Sequence, residues 1–197
     1  MVKRVGDKVG NSANTRELSH HESHVLALIH KWQPATAYLV RKTLPKSIAS
    51  SFSDSPGSVY PVIDRLKNRG FVTVRSPQGG KKNAELLSCT QAGVEHLKAW
   101  IRTSRQEEAL PEDPWRTRSL FSRILDPEDR KAWLLDLRAV AEQQRSSIIE
   151  RTEFADEPSE IDALEHALLT TEARIVWVDR LLARMVHADA KTLPDDD

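Results

Sequence analysis

Apolar residues recur at helical spacing between positions 55 and 70, and the flanking residues match the signals that begin and end a helix. Intervals of three and four residues place one set of side chains on a single face, namely Val59, Val62, Ile63 and Leu66. Ser55 is suited to cap the first turn, Pro56 is tolerated at the first helical position, and Gly70 is suited to end the helix. This pattern predicts a short amphipathic helix with one buried stripe.

The other faces of this helix carry hydroxyl groups near its start and cations near its end, on Ser55, Ser58, Tyr60, Arg65 and Lys67. Such groups bind phosphates and base edges in nucleic acids. Arg65 is the better candidate for reading guanine, because its guanidinium can make two parallel hydrogen bonds. Asp64 repels phosphate, so it either pairs with Arg65 or accepts a hydrogen bond from cytosine. An ordinary solvated helix face is the alternative interpretation.

Two strand-like runs follow the helix directly. They cover residues 71–75 and 84–89, and the turn between them is rich in glycine and carries Lys81 and Lys82. A hairpin with a cationic tip can reach a minor groove or its phosphates. A helix with a polar outer face followed by such a hairpin predicts a winged helix-turn-helix, and this context argues against the solvated-face interpretation.

Two helices are expected before this motif. Residues 1–17 are polar and aperiodic, and we interpret them as a flexible arm. Ser19 and Glu22 form a capping box that starts the first helix. The second helix is expected over about residues 36–44, with inward-facing Tyr38, Leu39 and Leu44.

The C-terminal half is predicted to be entirely helical. Thr90 caps a helix that continues to about residue 110, where prolines mark a domain boundary. Further helices are expected over residues 115–124, after Asp126-Pro127, and after a cap at Ser159. The last helix carries a heptad-like seam, interrupted by Thr171, that includes Leu164, Leu168, Ile175, Val178, Leu182 and Met185. We expect this seam to form a dimer interface, and an intramolecular bundle is the alternative.

Charge is distributed unevenly although the net charge is zero. Residues 1–100 hold 15 Lys and Arg against 7 Asp and Glu, a net of +8, whereas residues 101–197 have a net of −8. The basic half is suited to a polyanion. The single cysteine, Cys89, excludes an intrachain disulfide, and no apolar run has the length of a membrane span. We therefore expect a soluble, cytoplasmic protein.

Other kinds of site have weaker support. The chain has no glycine-rich phosphate loop, zinc-protease motif or nucleophile elbow, so we expect no catalytic residues and no enzyme. His20, His21 and His24 include an i, i+4 pair with metal-ligand spacing, but solvated histidines at a helix start explain them better, and no metal or cofactor is predicted. The five tryptophans suit packing, with an effector pocket as the alternative.

Several segments resemble the PadR family of bacterial transcriptional regulators. The most specific is Ser55-Pro-Gly-Ser-Val-Tyr-Pro61, and it is supported by Leu66-Lys-Asn-Arg-Gly-Phe-Val72, the Gly79-Gly-Lys-Lys82 tip and Thr90-Gln-Ala-Gly93. The resemblance is continuous from about residue 18 to 101. Residues 113–186 look like the helical dimerisation region of one subfamily.

The resemblance implies a mainly α fold with a small β-hairpin wing. The expected organisation is an arm over residues 1–17, a winged helix-turn-helix over 18–110, a helical dimerisation domain over 111–188 and an acidic tail over 189–197. The implied function is a homodimeric repressor that binds double-stranded DNA at a pseudo-palindromic operator and is released by a small hydrophobic or aromatic effector. A winged-helix module that binds only protein is the alternative.

Overall fold

The computed structural model describes residues 16–49, 56–76 and 85–190. The predicted N-terminal arm up to residue 15, the tip of the hairpin and the end of the acidic tail lie outside the described residues. The chain divides into two compact units, and the main division falls after Thr103, earlier than the boundary expected at residue 110. The fold is mainly helical with one small antiparallel sheet, as the sequence predicts.

The described residues of the first unit form four α-helices and three short strands. In chain order these are α1 (His20–Trp32), β1 (Ala35–Thr36), α2 (Ala37–Thr43), α3 (Pro56–Asn68), β2 (Val72–Arg75), β3 (Leu86–Cys89) and α4 (Gln91–Arg102), with a 3-10 turn after α2 (Leu44–Lys46). The strands form an antiparallel sheet in the order β1-β3-β2. In the hairpin, Val72 pairs with Cys89 and Arg75 with Leu86. Strand β1 was not foreseen, since two residues are too few to establish a period.

The predicted caps at Ser19 and Thr90 are confirmed, whereas the cap predicted at Ser55 lies outside the described residues. The Ser19 hydroxyl accepts a hydrogen bond from the backbone N–H of Glu22, and the Glu22 carboxylate accepts one from the N–H of Ser19. Thr36 caps α2 and Thr90 caps α4 in the same manner. These hydroxyls satisfy backbone N–H groups that a helix start leaves without partners.

The second helix differs from expectation in its inward face. Leu44 is fully buried as predicted, but Val40 is the buried residue within α2, and Leu39 is only partly covered. Tyr38, predicted to face inward, is 58% exposed, with the Arg41 guanidinium 5.7 Å from its ring centre. Seven helical residues are too few for the pattern alone to decide which side faces the core.

One apolar core unites the first unit. Helix α3 contributes the four residues of its predicted stripe, all at most 3% exposed, and these lie with residues of α1, α2, β2, β3 and α4. Burial of each such aliphatic side chain stabilises the unit by roughly 1.5–3 kcal/mol. The stripe therefore determines how α3 is oriented.

The loop between α3 and β2 explains two glycines. Gly70 has a φ of +74°, and it ends α3 as predicted. Its N–H bonds the carbonyl of Lys67 while the N–H of Phe71 bonds that of Leu66, which is a Schellman motif. Gly93, in the first turn of α4, instead approaches its neighbours closely: a Cβ there would lie 2.5 Å from the carbonyl oxygen of Phe71.

The second unit is built from helices. They are α5 (Pro114–Phe121), α6 (Pro127–Glu153) and α7 (Pro158–Ala190), with 3-10 turns at Gln106–Ala109 and Ser122–Ile124. Each α-helix begins at a proline, which has no N–H to leave unsatisfied in the first turn. The cap predicted at Ser159 is wrong, because α7 already begins at Pro158.

Helices α6 and α7 form a long antiparallel hairpin. Val178 and Leu181 of α7 cluster with Leu134 and Leu137 of α6. Arg138 pairs with Asp179 at 2.8 Å, and Arg145 pairs with Glu172 at 3.3 Å. Residues 138 and 145 differ by seven, as do 179 and 172, so these pairs repeat once per heptad along both helices.

This hairpin changes the interpretation of the predicted dimer seam. Leu164, Ile175 and Val178, expected to face a second copy, are buried within the single chain, where α6 supplies the partner surface. Leu168, Leu182 and Met185 are partly buried. Thr171 is also buried, and its hydroxyl bonds the carbonyl of Ala167 at 2.8 Å. The intramolecular alternative therefore accounts for the most apolar part of the seam.

The two glycines of the first unit should respond differently to alanine. A Cβ at Gly70 would meet no atom within 4 Å. Gly70→Ala should therefore lower the free energy of unfolding only because alanine disfavours the left-handed conformation, by roughly 1–2 kcal/mol. Gly93→Ala should cost more, on the order of 3 kcal/mol, because a backbone carbonyl must move. Urea denaturation monitored by circular dichroism measures both. Gly70→Asn is the control and should lose less than Gly70→Ala; a Gly93→Ala protein as stable as wild type would contradict the close packing of α4.

Candidate nucleic-acid interface

Helix α3 presents a polar surface because its apolar stripe is buried. Tyr60, near the start of the helix, is 44% exposed, and Asp64, Arg65 and Asn68 are exposed further along it. Lys67 is partly covered. Since the buried stripe holds the helix, these side chains are presented from a fixed backbone.

The Glu22 carboxylate connects the start of α1 to the exposed side of α3. Its Oε2 accepts the hydrogen bond from the Ser19 N–H at 2.9 Å, while its Oε1 accepts one from Nε of Arg65 at 2.7 Å. The Glu22 side chain is 11% exposed and that of Arg65 is 53% exposed. Arg65 is thus held on one edge and accessible elsewhere. Of the two alternatives for Asp64, pairing with Arg65 is not observed, because Glu22 takes that position. Contact of Asp64 with cytosine stays a prediction.

Ionisation of Glu22 reflects this double role. Burial of its carboxylate raises the pKa, but the hydrogen bond from the Ser19 backbone and the contact with Arg65 outweigh burial and hold the pKa below its usual range. The carboxylate is therefore charged at neutral pH. Arg65 is more than half exposed, so the pair stabilises the fold by about 1 kcal/mol or less. Its main effect is to position the guanidinium.

Lys67 connects α3 to the base of the hairpin. Its Nζ lies 3.2 Å from Oε2 of Glu85, just before β3, and 3.5 Å from Oδ1 of Asp64. The hydrogen bond to Glu85 raises the pKa of Lys67, and Asp64 adds to the effect. Both cations predicted on this helix are therefore paired with acidic groups in the protein without nucleic acid.

Four of the predicted contact residues lie wholly or partly outside the described residues. Ser55, Lys81 and Lys82 lie outside the described residues, and Ser58 lies in α3 with its side chain outside them. Their assignment to nucleic acid stays a prediction.

Sequence reasoning missed two features near this surface. Glu22 was interpreted only as a capping residue, because nothing in a linear sequence indicates that Arg65 comes within reach of it. The exposed pair of Tyr38 and Arg41 on α2 was also missed. The first helix of a helix-turn-helix crosses the nucleic-acid backbone, so polar groups on α2 belong to the same candidate surface.

The histidines at the start of α1 pack against α4. The ring centre of His20 lies 5.7 Å from that of Trp100, and His24 is buried. Burial lowers the pKa of His24, and the neighbouring His20 and His21 lower it further. No group of three or more metal-ligating side chains occurs within residues 16–49, 56–76 and 85–190. His20 and His24 therefore take part in packing, whereas the sequence predicts solvated histidines at this helix start.

The arrangement of the first unit defines the class of the protein. Helix α2, the connection and helix α3 form a helix-turn-helix, and the β2–β3 hairpin follows as a wing, so the unit is a winged helix.

None of the helices in the described segments is long and apolar enough to span a membrane.

Comparison with known proteins connects the first unit to a described family. Residues 25–99 match the transcriptional regulator PadR-like family. It is 24% identical over 132 residues to the transcriptional regulator YqjI of Escherichia coli, a match that spans 66% of this chain and 60% of that protein. It is 21% identical over 177 residues to the negative transcriptional regulator PadR of Bacillus subtilis, covering 84% of this chain and 96% of that protein.

Solved structures share the fold across both units. Bacillus subtilis PadR in complex with operator DNA aligns with a TM-score of 0.71 at 18% identity, over 83% of this chain and 96% of that chain. The same protein in complex with p-coumaric acid aligns with a TM-score of 0.69 at 17% identity, over 83% and 97%. At these identities the likeness establishes a common fold.

Proposed function

We propose that this protein is a transcriptional regulator that binds double-stranded operator DNA as a homodimer, with α3 in the major groove and the hairpin beside it. The observation that carries the proposal is the surface of α3, where Tyr60 and the outer edge of Arg65 are exposed on a helix fixed by four buried aliphatic side chains. The net charge of +8 in residues 1–100 favours the same partner. Repression is the sign of regulation we infer, following the negative regulator named above.

The acidic partners of Arg65 and Lys67 suit a reader of DNA sequence. Glu22 leaves part of the Arg65 guanidinium exposed while fixing Nε. An arginine held in this way reaches a base edge with less conformational freedom to lose. To contact DNA, Lys67 must give up its bond to Glu85 and bind a phosphate instead. This exchange lowers the affinity for DNA sequences that do not place a phosphate within reach of Lys67.

The second unit supplies the proposed dimer contact through the side of the hairpin that its own chain leaves open. On α7, Leu169 is 59% exposed and Val176 is 48% exposed, one heptad apart, and Val186 is exposed beyond them. On α6, Leu135 and Val140 are exposed. Exposed aliphatic residues at heptad spacing are typical of helix pairing between subunits. We therefore place the interface beside the predicted seam.

A small aromatic acid is the second element of the proposal. A cavity of about 360 Å³ within the second unit is lined by Trp115, Trp177 and Arg174, among others. The Arg174 guanidinium lies 5.2 Å from the ring centre of Trp115 and bonds Asp113 at 3.0 Å. Indole walls beside a guanidinium suit an aromatic carboxylate. The complex of the Bacillus subtilis protein with p-coumaric acid supports this class of ligand.

A winged helix that binds only protein is the competing function. Such a module is expected to present an apolar or neutral recognition surface. The described outer face of α3 instead carries a phenol, a guanidinium and an ammonium group, so we favour DNA.

Tyr60→Phe should weaken operator binding while leaving the fold intact. The substitution removes one exposed hydroxyl, so each subunit should lose about 1 kcal/mol of binding free energy. Fragments selected from the source genome with purified protein provide the operator, and fluorescence anisotropy measures Kd. Thr152→Val is the control, since it removes an exposed hydroxyl of α6 in the second unit, away from the candidate surface. Equal affinity of Tyr60→Phe and wild type would place Tyr60 away from DNA.

Leu169→Asp combined with Val176→Asp should produce folded monomers. Both side chains are exposed in the single chain, so the acids should disrupt only the contact with a second copy, at several kcal/mol. Sedimentation measures the mass, and circular dichroism reports the helices. Val178→Asp is the contrasting variant. Val178 is fully buried, so a carboxylate at this position should destabilise the hairpin itself. If the double variant sediments as wild-type dimers do, the interface lies elsewhere.

Trp177→Leu should weaken binding of p-coumarate at least tenfold, because the cavity loses one aromatic wall. Isothermal titration of the full protein with p-coumarate measures the affinity directly. Trp32→Leu, which changes a tryptophan of the first unit, should bind like wild type. An unchanged affinity for Trp177→Leu would exclude the proposed cavity.

A further inference from the structure

A second cavity in the helical unit combines apolar walls with three arginines. It has a volume of about 480 Å³. Its apolar lining comes from Leu125, Pro127, Leu181 and Met185, and its cations are Arg123, Arg130 and Arg184. Among the described lining residues there is no acidic side chain.

The three cations come from separate elements that meet here. Arg123 lies in the 3-10 turn Ser122–Ile124, Arg130 in the first turns of α6 and Arg184 on α7. Leu181 and Met185 stand three residues before and one after Arg184, so α7 contributes apolar and cationic groups to the same opening. The cavity is therefore formed by the fold rather than by one flexible side chain.

The three cavity arginines lack the acidic partners that several other arginines of this unit have. Arg138, Arg145 and Arg174 each hold a carboxylate at 3.3 Å or less. By contrast, the guanidinium groups of Arg123, Arg130 and Arg184 make no ion pair or hydrogen bond with any residue that the structure describes. Nε of Arg130 is buried without an acceptor. A buried guanidinium donor without an acceptor is destabilising, so an acceptor supplied by a ligand would relieve that cost.

The acids nearest in sequence do not fill this role. Asp126 caps α6, where its Oδ1 accepts the hydrogen bond of the Asp129 N–H at 2.8 Å. Glu128 and Asp129 are exposed in the first turn of α6 and do not line the cavity. Among the residues that the structure describes, none in the walls of the cavity balances its positive charge.

We propose that this cavity binds a small organic anion that carries two or more negative charges on an apolar group, either a phosphate monoester or a dicarboxylate. Three guanidinium groups match a multiply charged head, and their planar donors fit phosphate and carboxylate oxygens through paired hydrogen bonds. The volume is typical of a small-molecule site. The apolar side chains around Leu181 accommodate the remainder of the ligand.

This site is separate from the Trp115 and Trp177 cavity, and its occupation does not depend on DNA. A direct binding measurement therefore tests it independently of the proposed function. The full-length protein is titrated calorimetrically, without DNA and at low salt, with phenyl phosphate, phthalate and benzyl alcohol.

Saturable binding of phenyl phosphate or phthalate is the expected result, with no binding of the neutral benzyl alcohol. At least tenfold tighter binding of one anion assigns the head group to the phosphoryl or the dicarboxylate class. Arg130→Met and Arg184→Gln should each raise Kd for the preferred anion at least tenfold. Arg118→Gln, which changes an exposed arginine of α5 outside the cavity, should leave Kd within twofold of wild type.

Several outcomes would overturn the proposal. One is the absence of saturable binding for both anions, and another is equal weakening by Arg118→Gln, which would indicate general attraction to a basic surface. The thermal midpoint of Arg130→Met without anion gives a second measure. It should equal or exceed that of wild type, because the unsatisfied donor is gone. A lower midpoint would show that Arg130 stabilises the fold instead of serving a ligand.

Discussion

Burial of one side of α3 is the constraint on which the recognition surface depends. Four aliphatic side chains of this helix are buried, namely Val59, Val62, Ile63 and Leu66. Their burial stabilises the unit by far more free energy than any of its exposed ion pairs contributes. Rotating the helix by one residue position would expose part of that stripe. The outward orientation of Tyr60 and Arg65 is therefore a consequence of core packing, and Glu22 only refines the position of one guanidinium.

The second unit follows the same division between apolar packing and charge. Leu134, Leu137 and Val178 hold α6 against α7, and the interhelical ion pairs lie at the edges of that contact. Since the hairpin is closed by its own chain, the surfaces left for other molecules are the exposed aliphatic residues and the two cavities. A second copy, an aromatic acid and a multiply charged anion are the occupants that we propose for them.

The sequence predicted the elements with strong local signals. The capping residues Ser19 and Thr90, the stripe of α3 and the stop at Gly70 are all confirmed, because each depends on residues a few positions apart. The inward orientation of Tyr38 was wrong, and of the two alternatives for Asp64 the pairing with Arg65 is not observed. Both outcomes are decided by residues distant in sequence. For the same reason the partner of α7 was misjudged: periodicity shows that a helix face is buried, not whether α6 or another molecule covers it.

The regular ion pairs between α6 and α7 carry a consequence for how this protein can vary. Arg138 and Asp179 lie one heptad from Arg145 and Glu172, counted in opposite directions along the two helices. A single insertion or deletion within either helix would rotate everything beyond it by about 100°, moving apolar residues out and charged residues in. Viable descendants should therefore change the length of the hairpin only in matched steps on both helices, or at the connecting turn. Substitutions can accumulate freely only on exposed positions outside the proposed dimer contact and the two cavities.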